Sequence, residues 1–220
     1  MVINNDKKGG MFMYGNLSVL NHSTVKIVGG KVVYIDPYGL KNVTQDADYI
    51  FITHSHYDHY SPEDIEKVSK DTTTIIVTSD LAEKARELGF GVENILTVLP
   101  QETHELNGLK FTTIPSYNNL KPFHPKRNNW VGYLIELDGK TYYITGDTDK
   151  TLEAEKVKCD VLFVPVGGTF TMDYKAAANL TNMIKPKVAI PIHYGSIVGS
   201  SDDAKNFASL LDGIECKILM

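Results

Sequence analysis

Residues 54 to 59, His54-Ser55-His56-Tyr57-Asp58-His59, hold three of the chain's seven histidines together with an aspartate. The run before them, Asp48 to Thr53, carries Tyr49-Ile50-Phe51-Ile52, and so continuous an apolar stretch predicts a strand buried on both faces. Side chains alternate along an extended chain, so His54 and His56 point the same way and can share one metal ion through their ring nitrogens. Past the turn, Asp58 and His59 face another direction and can address a second ion. Nitrogen and oxygen donors without a thiolate suit zinc, with manganese or iron as alternatives. A solvated polar loop is the competing reading, and it has no need of this spacing.

On the N-terminal side, Thr24 to Val28 and Lys31 to Asp36 flank Gly29-Gly30 and predict an antiparallel hairpin that stops at Asp36-Pro37. On the C-terminal side, Ser61-Pro62-Glu63-Asp64 offers a cap, a first-turn proline and first-turn acids, predicting a helix to about Ser69. A strand over Thr74 to Val77 and a helix from Asp80 to Leu88, stopped by Gly89, come next. Strands follow near Ile95 to Leu99, Leu109 to Ile114, Val131 to Leu137 and Lys140 to Thr145, the last two joined by Asp138-Gly139. The chain then reads as a strand over Asp160 to Pro165, a helix from Asp173 to Ile184, a strand over Val188 to Ile192 and a helix near Asp202 to Leu211. This order predicts one α+β domain over residues 1 to 220, a four-layer αβ/βα sandwich of two mixed β-sheets flanked by helices. Ser116 to Asn129 is the one long irregular segment, and a polar loop of that length in a compact domain is usually functional.

Composition agrees with a single well-buried core: 42% of the 220 residues are hydrophobic, with 17 glycines and 9 prolines. The 22 basic and 27 acidic residues leave a net charge of −5, with no overall field to draw nucleic acid or an anionic membrane. Apolar runs such as Val161-Leu162-Phe163-Val164 fall far short of the roughly 18 residues of a membrane span. The start, Met1 to Lys8, lacks the hydrophobic stretch of a signal peptide, so the expected compartment is the cytoplasm. Cys159 and Cys216 accordingly read as buried, reduced thiols. Nothing in the sequence points to a homo-oligomer.

The His-x-His-x-Asp-His pattern of residues 54 to 59, with Thr53 before it, resembles the signature of the metallo-β-lactamase-fold superfamily. Ile35-Asp36-Pro37, Thr145-Gly146-Asp147-Thr148-Asp149 and Pro191-Ile192-His193-Tyr194 extend the resemblance, in order, over nearly the whole chain. Within that superfamily the chain looks most like the small single-domain hydrolases related to ascorbate-6-phosphate lactonase, which share the Asp-Pro ending of the early strand. The resemblance implies that His54 and His56 bind a first metal, that Asp58, His59 and His193 bind a second, and that Asp147 bridges them. It also implies a third histidine for the first metal near Ile114-Pro115-Ser116-Tyr117-Asn118, where this chain offers Asn118. His124, further along the same loop, is one replacement. Asn118 with water is another, and a single ion held mainly by Asp58, His59, Asp147 and His193 is a third. Asp36, which the resemblance places beneath the site, either accepts a hydrogen bond from a ligand histidine or simply ends its strand.

Lys121, Lys126 and Arg127, interleaved with Tyr117, Phe123 and Trp130, suit an anionic, phosphorylated small substrate; a solvated basic loop is the alternative. Gly167 to Asp173 either brings backbone amides near the metals or is a plain helix start. His22 and His104 read as surface residues. In Tyr194-Gly195-Ser196-Ile197-Val198-Gly199 the glycine after serine falls one position too late for a nucleophile elbow, and no dinucleotide or phosphate-loop fingerprint is present. The expected chemistry is hydrolysis of an ester, lactone or phosphodiester by hydroxide held between two ions roughly 3.5 to 4 Å apart. Asp58, Asp147 and His193 are the catalytic candidates, Tyr194 is a substrate-binding candidate, and Tyr194 or His124 could protonate the leaving group. A small nuclease and a metal-binding protein that has lost catalysis are the competing functions. Di-iron redox relatives are disfavoured, because the resemblance there implies a glutamate at His56 and a flavin domain for which the chain has no room.

Overall fold

The structure is a computed structural model and describes residues 16–220; the stretch Met1 to Lys8 discussed above lies outside the described residues. The first sheet runs in chain order through β1 (Leu17–Asn21), β2 (Thr24–Val28), β3 (Val32–Ile35) and β4 (Tyr49–Phe51). After helix α1 (Pro62–Val68) come β5 (Thr74–Thr78), helix α2 (Ala82–Glu87) and β6 (Ile95–Val98). Its first three strands are antiparallel, and β3 to β6 are parallel. The second sheet takes β7 (Thr103–Leu106), β8 (Leu109–Pro115), β9 (Val131–Leu137), β10 (Lys140–Ile144), β11 (Val161–Pro165), β12 (Val188–Ile192) and β13 (Glu215–Cys216). Helix α3 (Tyr174–Ile184) lies between β11 and β12, and α4 (Ser201–Ser209) between β12 and β13. This sheet is antiparallel from β7 to β10 and parallel from β10 to β13.

The two sheets pack face to face. Ile27, Ile35, Phe51 and Ile76 from the first meet Phe111, Tyr133, Ile144, Phe163 and Ile190 from the second. Phe51 is the hinge of that contact, with its ring 4.9 Å from those of both Phe111 and Tyr133, and truncating it to alanine would cost about 3–5 kcal/mol. A second cluster lies beneath α3 and α4, and a third beneath α1 and α2, which completes the four layers the sequence order predicts. The three residues of β4 are all buried, as a central parallel strand covered on both faces requires.

Local signals also do what their chemistry dictates. Ser61 caps α1 with Pro62 in its first turn, and Asp173 caps α3 by accepting from the Ala176 N–H at 2.8 Å. Asp138 and Gly139, at φ +51° and +70°, form a two-residue hairpin turn with both residues left-handed. The sequence pattern passes over β1, β7 and β13. The last two are short sheet edges, and β7 reads Thr-His-Glu-Leu with no buried residue to set a period. Among the described residues no helix is long and apolar enough to cross a membrane.

The topology gathers chain reversals at one place. The exits of β4, β8, β10 and β12 lead into residues 54–59, the 116–130 loop, Asp147 and His193 respectively, while the β1–β2 turn carries His22. The His193 N–H donates to the His22 carbonyl at 2.9 Å, joining the second sheet to the first.

Candidate metal centre

Asp36, at φ +47° after β3, turns its carboxylate under the exit of β4. It accepts from the Thr53 N–H at 2.8 Å and from the Thr53 hydroxyl at 2.7 Å, and its Oδ2 lies 2.7 Å from His59 Nδ1. The carboxylate can only accept there, so Nδ1 carries a proton and Nε2 of His59 is the nitrogen that faces the centre. Thr53 Oγ1 donates to Asp36 and therefore accepts from His54 Nδ1, 2.9 Å away, which turns His54 Nε2 toward the centre, 3.1 Å from His56 Nδ1.

Asp147 arrives over Gly146, whose φ of +64° suits glycine. A Cβ at Gly146 would lie 3.1 Å from both Thr53 Cβ and the Val131 carbonyl. The buried carboxylate of Asp147 stands among four imidazoles. Oδ2 is 3.0 Å from His193 Nε2, 3.3 Å from His124 Nε2 and 3.9 Å from His54 Nε2, and Oδ1 is 3.3 Å from His59 Nε2. The donor atoms fall into two groups, His54, His56 and His124 on one side and His22, Asp58, His59 and His193 on the other. Asp147 joins them through His54 and His59, with the atoms of each group within 4.8 Å of one another.

Asn118 and His124, the two candidates for the third donor of the first group, take different positions. Asn118 Oδ1 accepts from the His124 N–H at 3.1 Å and lies 3.0 Å from His124 Nδ1, while Asn118 Nδ2 donates to the Phe170 carbonyl at 3.0 Å. With its oxygen so engaged, Asn118 aims His124, whose Nε2 faces the centre. Trp130 covers this group, its ring 5.0 Å from that of His54 and 4.8 Å from that of His56, and its Nε1 donates to Asp80 at 3.0 Å.

A cation fits this arrangement. Nε2 of His59, His124 and His193 are buried without a hydrogen-bond partner, a state that costs about 1–3 kcal/mol apiece if nothing meets them. Burial, then the neighbouring His59, push the His54 imidazole well below its ordinary value. Burial also opposes charge on His59, but the carboxylates of Asp147 and Asp36 outweigh it and hold His59 well above the usual imidazole range. Asp147 is likewise penalised by burial, and His193 and His59 prevail and keep it ionised.

Other candidates fall elsewhere. His22, expected at the surface, is fully buried, its Nε2 3.3 Å from Asp58 Oδ2; the turn between β1 and β2 folds inward because the His193 strand end bonds to it. Tyr194, expected to face substrate, is packed in the cluster beneath α3 and α4 with its hydroxyl buried, after the chain leaves β12 through a left-handed His193 at φ +57°. Lys121 pairs with Asp149 and the Thr171 carbonyl, and Lys126 pairs with Glu153 and lies over the Tyr117 ring. Arg127 is exposed and has no ion pair among the described residues. Asp173 is an ordinary helix cap. His104, on edge strand β7, stacks on Phe111 and is partly exposed. Cys159 and Cys216 are free and half-buried rather than fully buried, their thiols pushed up by burial to about 12 and about 11. His22, Ser196 and Asp80 are the residues around the centre to which the sequence reading gives no role there. For His22 the available signal is its place in the first chain reversal, next to the hairpin that ends in Asp36.

Comparison with known proteins agrees with this geometry. Residues 16–193 match the family model described as the beta-lactamase superfamily domain. A UPF0173 metal-dependent hydrolase of Pyrococcus abyssi is 31% identical over 91% of this chain and 93% of its own length. One from Staphylococcus aureus is 30% identical over 92% and 96%. The crystal structure of a metal-dependent hydrolase from Parabacteroides distasonis superposes with a TM-score of 0.79 at 28% identity, covering 92% of this chain and 91% of that one. The chain therefore belongs to the metallo-β-lactamase superfamily of metal-dependent hydrolases.

Proposed function

We propose that the chain hydrolyses an ester, lactone or phosphodiester bond in a small anionic substrate at a centre of two divalent ions, with the cytoplasm as its compartment. Zinc is the first choice of ion, with manganese and iron as alternatives. The observation that supports the reading is the single carboxylate of Asp147 set between two groups of imidazoles, with Nε2 of His59, His124 and His193 buried around it and without a hydrogen-bond partner. His54, His56 and His124 would hold one ion, Asp58, His59 and His193 the other, and Asp147 would reach both. Divalent ions bound there supply a nucleophile at neutral pH and polarise the oxygen of the scissile bond. Asp58 is disfavoured by burial, but the nearby His22 and His59 keep its carboxyl below the ordinary range, so it can accept a hydrogen bond from an attacking water. Trp130 shields the flank of the first group from solvent. Lys121 and Lys126 are spent on ion pairs that shape the loop, so Arg127 is the cation there with its planar fork uncommitted for an anion.

Elemental analysis of protein purified without added metal or chelator, followed by assay on a lactone, an aryl ester and an aryl phosphodiester, tests the reading. We expect two ions per chain and turnover of at least one substrate class, abolished by chelation and by His193→Ala. Full occupancy with no turnover of any of the three would overturn it. Arg127→Ala should raise KM for an anionic substrate about tenfold with little change in kcat, whereas Lys126→Ala should leave KM unchanged.

A further inference from the structure

We propose that His22 is a further side-chain ligand of the second metal position, which would then offer three imidazoles, from His22, His59 and His193, and two carboxylates, from Asp58 and Asp147. The proposal rests on the metal reading of the centre and adds this one donor to it.

His22 Nε2 is buried and has no hydrogen-bond partner, although Asp58 Oδ2 is only 3.3 Å away. Closeness to a carboxylate without an aligned hydrogen bond is also what Nε2 of His59, His124 and His193 show, at 3.3, 3.3 and 3.0 Å from Asp147. Nitrogens that address a common point, rather than one another, have this geometry; a hydrogen bond from His22 to Asp58 would need its N–H directed at the oxygen. The donor atoms of His22, Asp58, His59 and His193 lie within 4.8 Å of one another, and all four residues are buried.

The rest of the residue is arranged to the same end. Nδ1 of His22 lies 3.1 Å from the Ser196 hydroxyl. That oxygen can accept a hydrogen bond from Nδ1–H and so turn Nε2 toward the centre, the service Asp36 performs for His59 and Asn118 for His124. The His22 ring packs on that of His193 with centroids 4.0 Å apart, and the two backbones are hydrogen-bonded. At φ +48°, His22 sits in a region a non-glycine residue adopts rarely, and the conformation turns its ring inward. The two metal positions then differ in kind. His54, His56, His124 and Asp147 make four protein donors, the number tetrahedral zinc takes. Five protein donors with two carboxylates suit an ion that accepts higher coordination, such as manganese(II) or iron(II).

Cobalt(II) titrated into metal-free full-length protein, followed by visible absorption and counted by equilibrium dialysis, tests the assignment in the parent protein, His22→Ala and His22→Gln. The parent should take two ions, one with the weak bands of five- or six-coordinate cobalt. His22→Ala should weaken that ion by more than about tenfold and intensify its bands as the coordination number falls. The other ion should be unchanged, which also reports a folded variant. His22→Gln keeps a donor for Asp58 but is a poor ligand, so it should behave like His22→Ala, and it carries the test alone if the alanine variant does not fold. Restoration of parent binding by glutamine, or two unchanged ions in the alanine variant, would overturn the ligand assignment and leave the metal centre standing. A parent protein that takes up no cobalt would instead overturn the metal reading and the His22 assignment together.

Discussion

The two halves of the centre are built in opposite ways. The first group takes two histidines two residues apart on one strand exit and completes itself with a loop residue, His124, aimed by Asn118. It offers only nitrogen apart from Asp147, and His56 is half-buried beside Trp130. The second group draws on the β1–β2 turn, residues 58 and 59, and the exit of β12. Every member is buried, and it contributes its own carboxylate from Asp58. A half that is local in sequence depends on a loop for closure, whereas a half scattered along the chain depends on the packing of the two sheets. Changes in the loop should therefore be felt by one ion, and changes at the sheet junction by the other.

The largest effect is expected at Asp147, which belongs to both halves. Asp147→Asn should lower the affinity for both ions by more than about 100-fold and abolish hydrolysis. Loss of one ion alone, measured by dialysis, would show that the halves are not joined through this carboxylate.

The loop separates them next. His124→Ala should empty the first position, and Asn118→Leu, which leaves the imidazole in place without its orienting oxygen, should weaken it by about 10–100-fold, with the second ion unaffected in each. Equal weakening of both ions in Asn118→Leu would erase the distinction.

The smallest effect should come from Asp64, just beyond His59. Its carboxylate accepts from Gly39 N–H at 2.7 Å, Leu40 N–H at 3.0 Å and Lys67 at 3.0 Å, fastening the chain on which the second half stands. Burial works against its charge, and the bonds from Ser61, Lys67 and the two amides prevail, so its folded pKa lies below the unfolded value. The stabilisation is thus fully present above the ordinary carboxylate value near 4 and is lost as pH falls through the lower folded value. Asp64→Asn should cost about 1–3 kcal/mol at neutral pH and flatten the acid limb of a plot of melting temperature against pH. An unchanged acid limb would remove Asp64 from that role.

How far the sequence disclosed this follows from the same contrast. Residues 54 to 59 announce themselves because so dense a set of donors follows directly on a buried run that fixes the strand, although the structure holds them in the bend and turn after β4 rather than in the strand itself. Helices α1 and α3 were legible from Ser61-Pro62 and Asp173 because caps are local chemistry. His22 was not legible, since its burial comes from a backbone bond to His193 that no window of sequence contains. Tyr194 misled because its neighbour's importance says nothing of which face it takes. The ion pairs of the basic loop were hidden for a related reason: Asp149 and Glu153, the partners of Lys121 and Lys126, lie beyond β9 and β10 in the chain.

The contact between His22 and Ser196 spans 174 positions of the chain. Contacts of such separation close late, because the entropy of the intervening loop must be overcome before they repay it. During synthesis the first sheet can be complete while β12 is still unmade, so a nascent chain presents His54 and His56 without the partners that finish the centre. On the proposed two-ion reading, ion capture by the second half would report that the whole sandwich has closed, and a chain stalled short of His193 should bind weakly and remain distinguishable from the finished protein by that property alone.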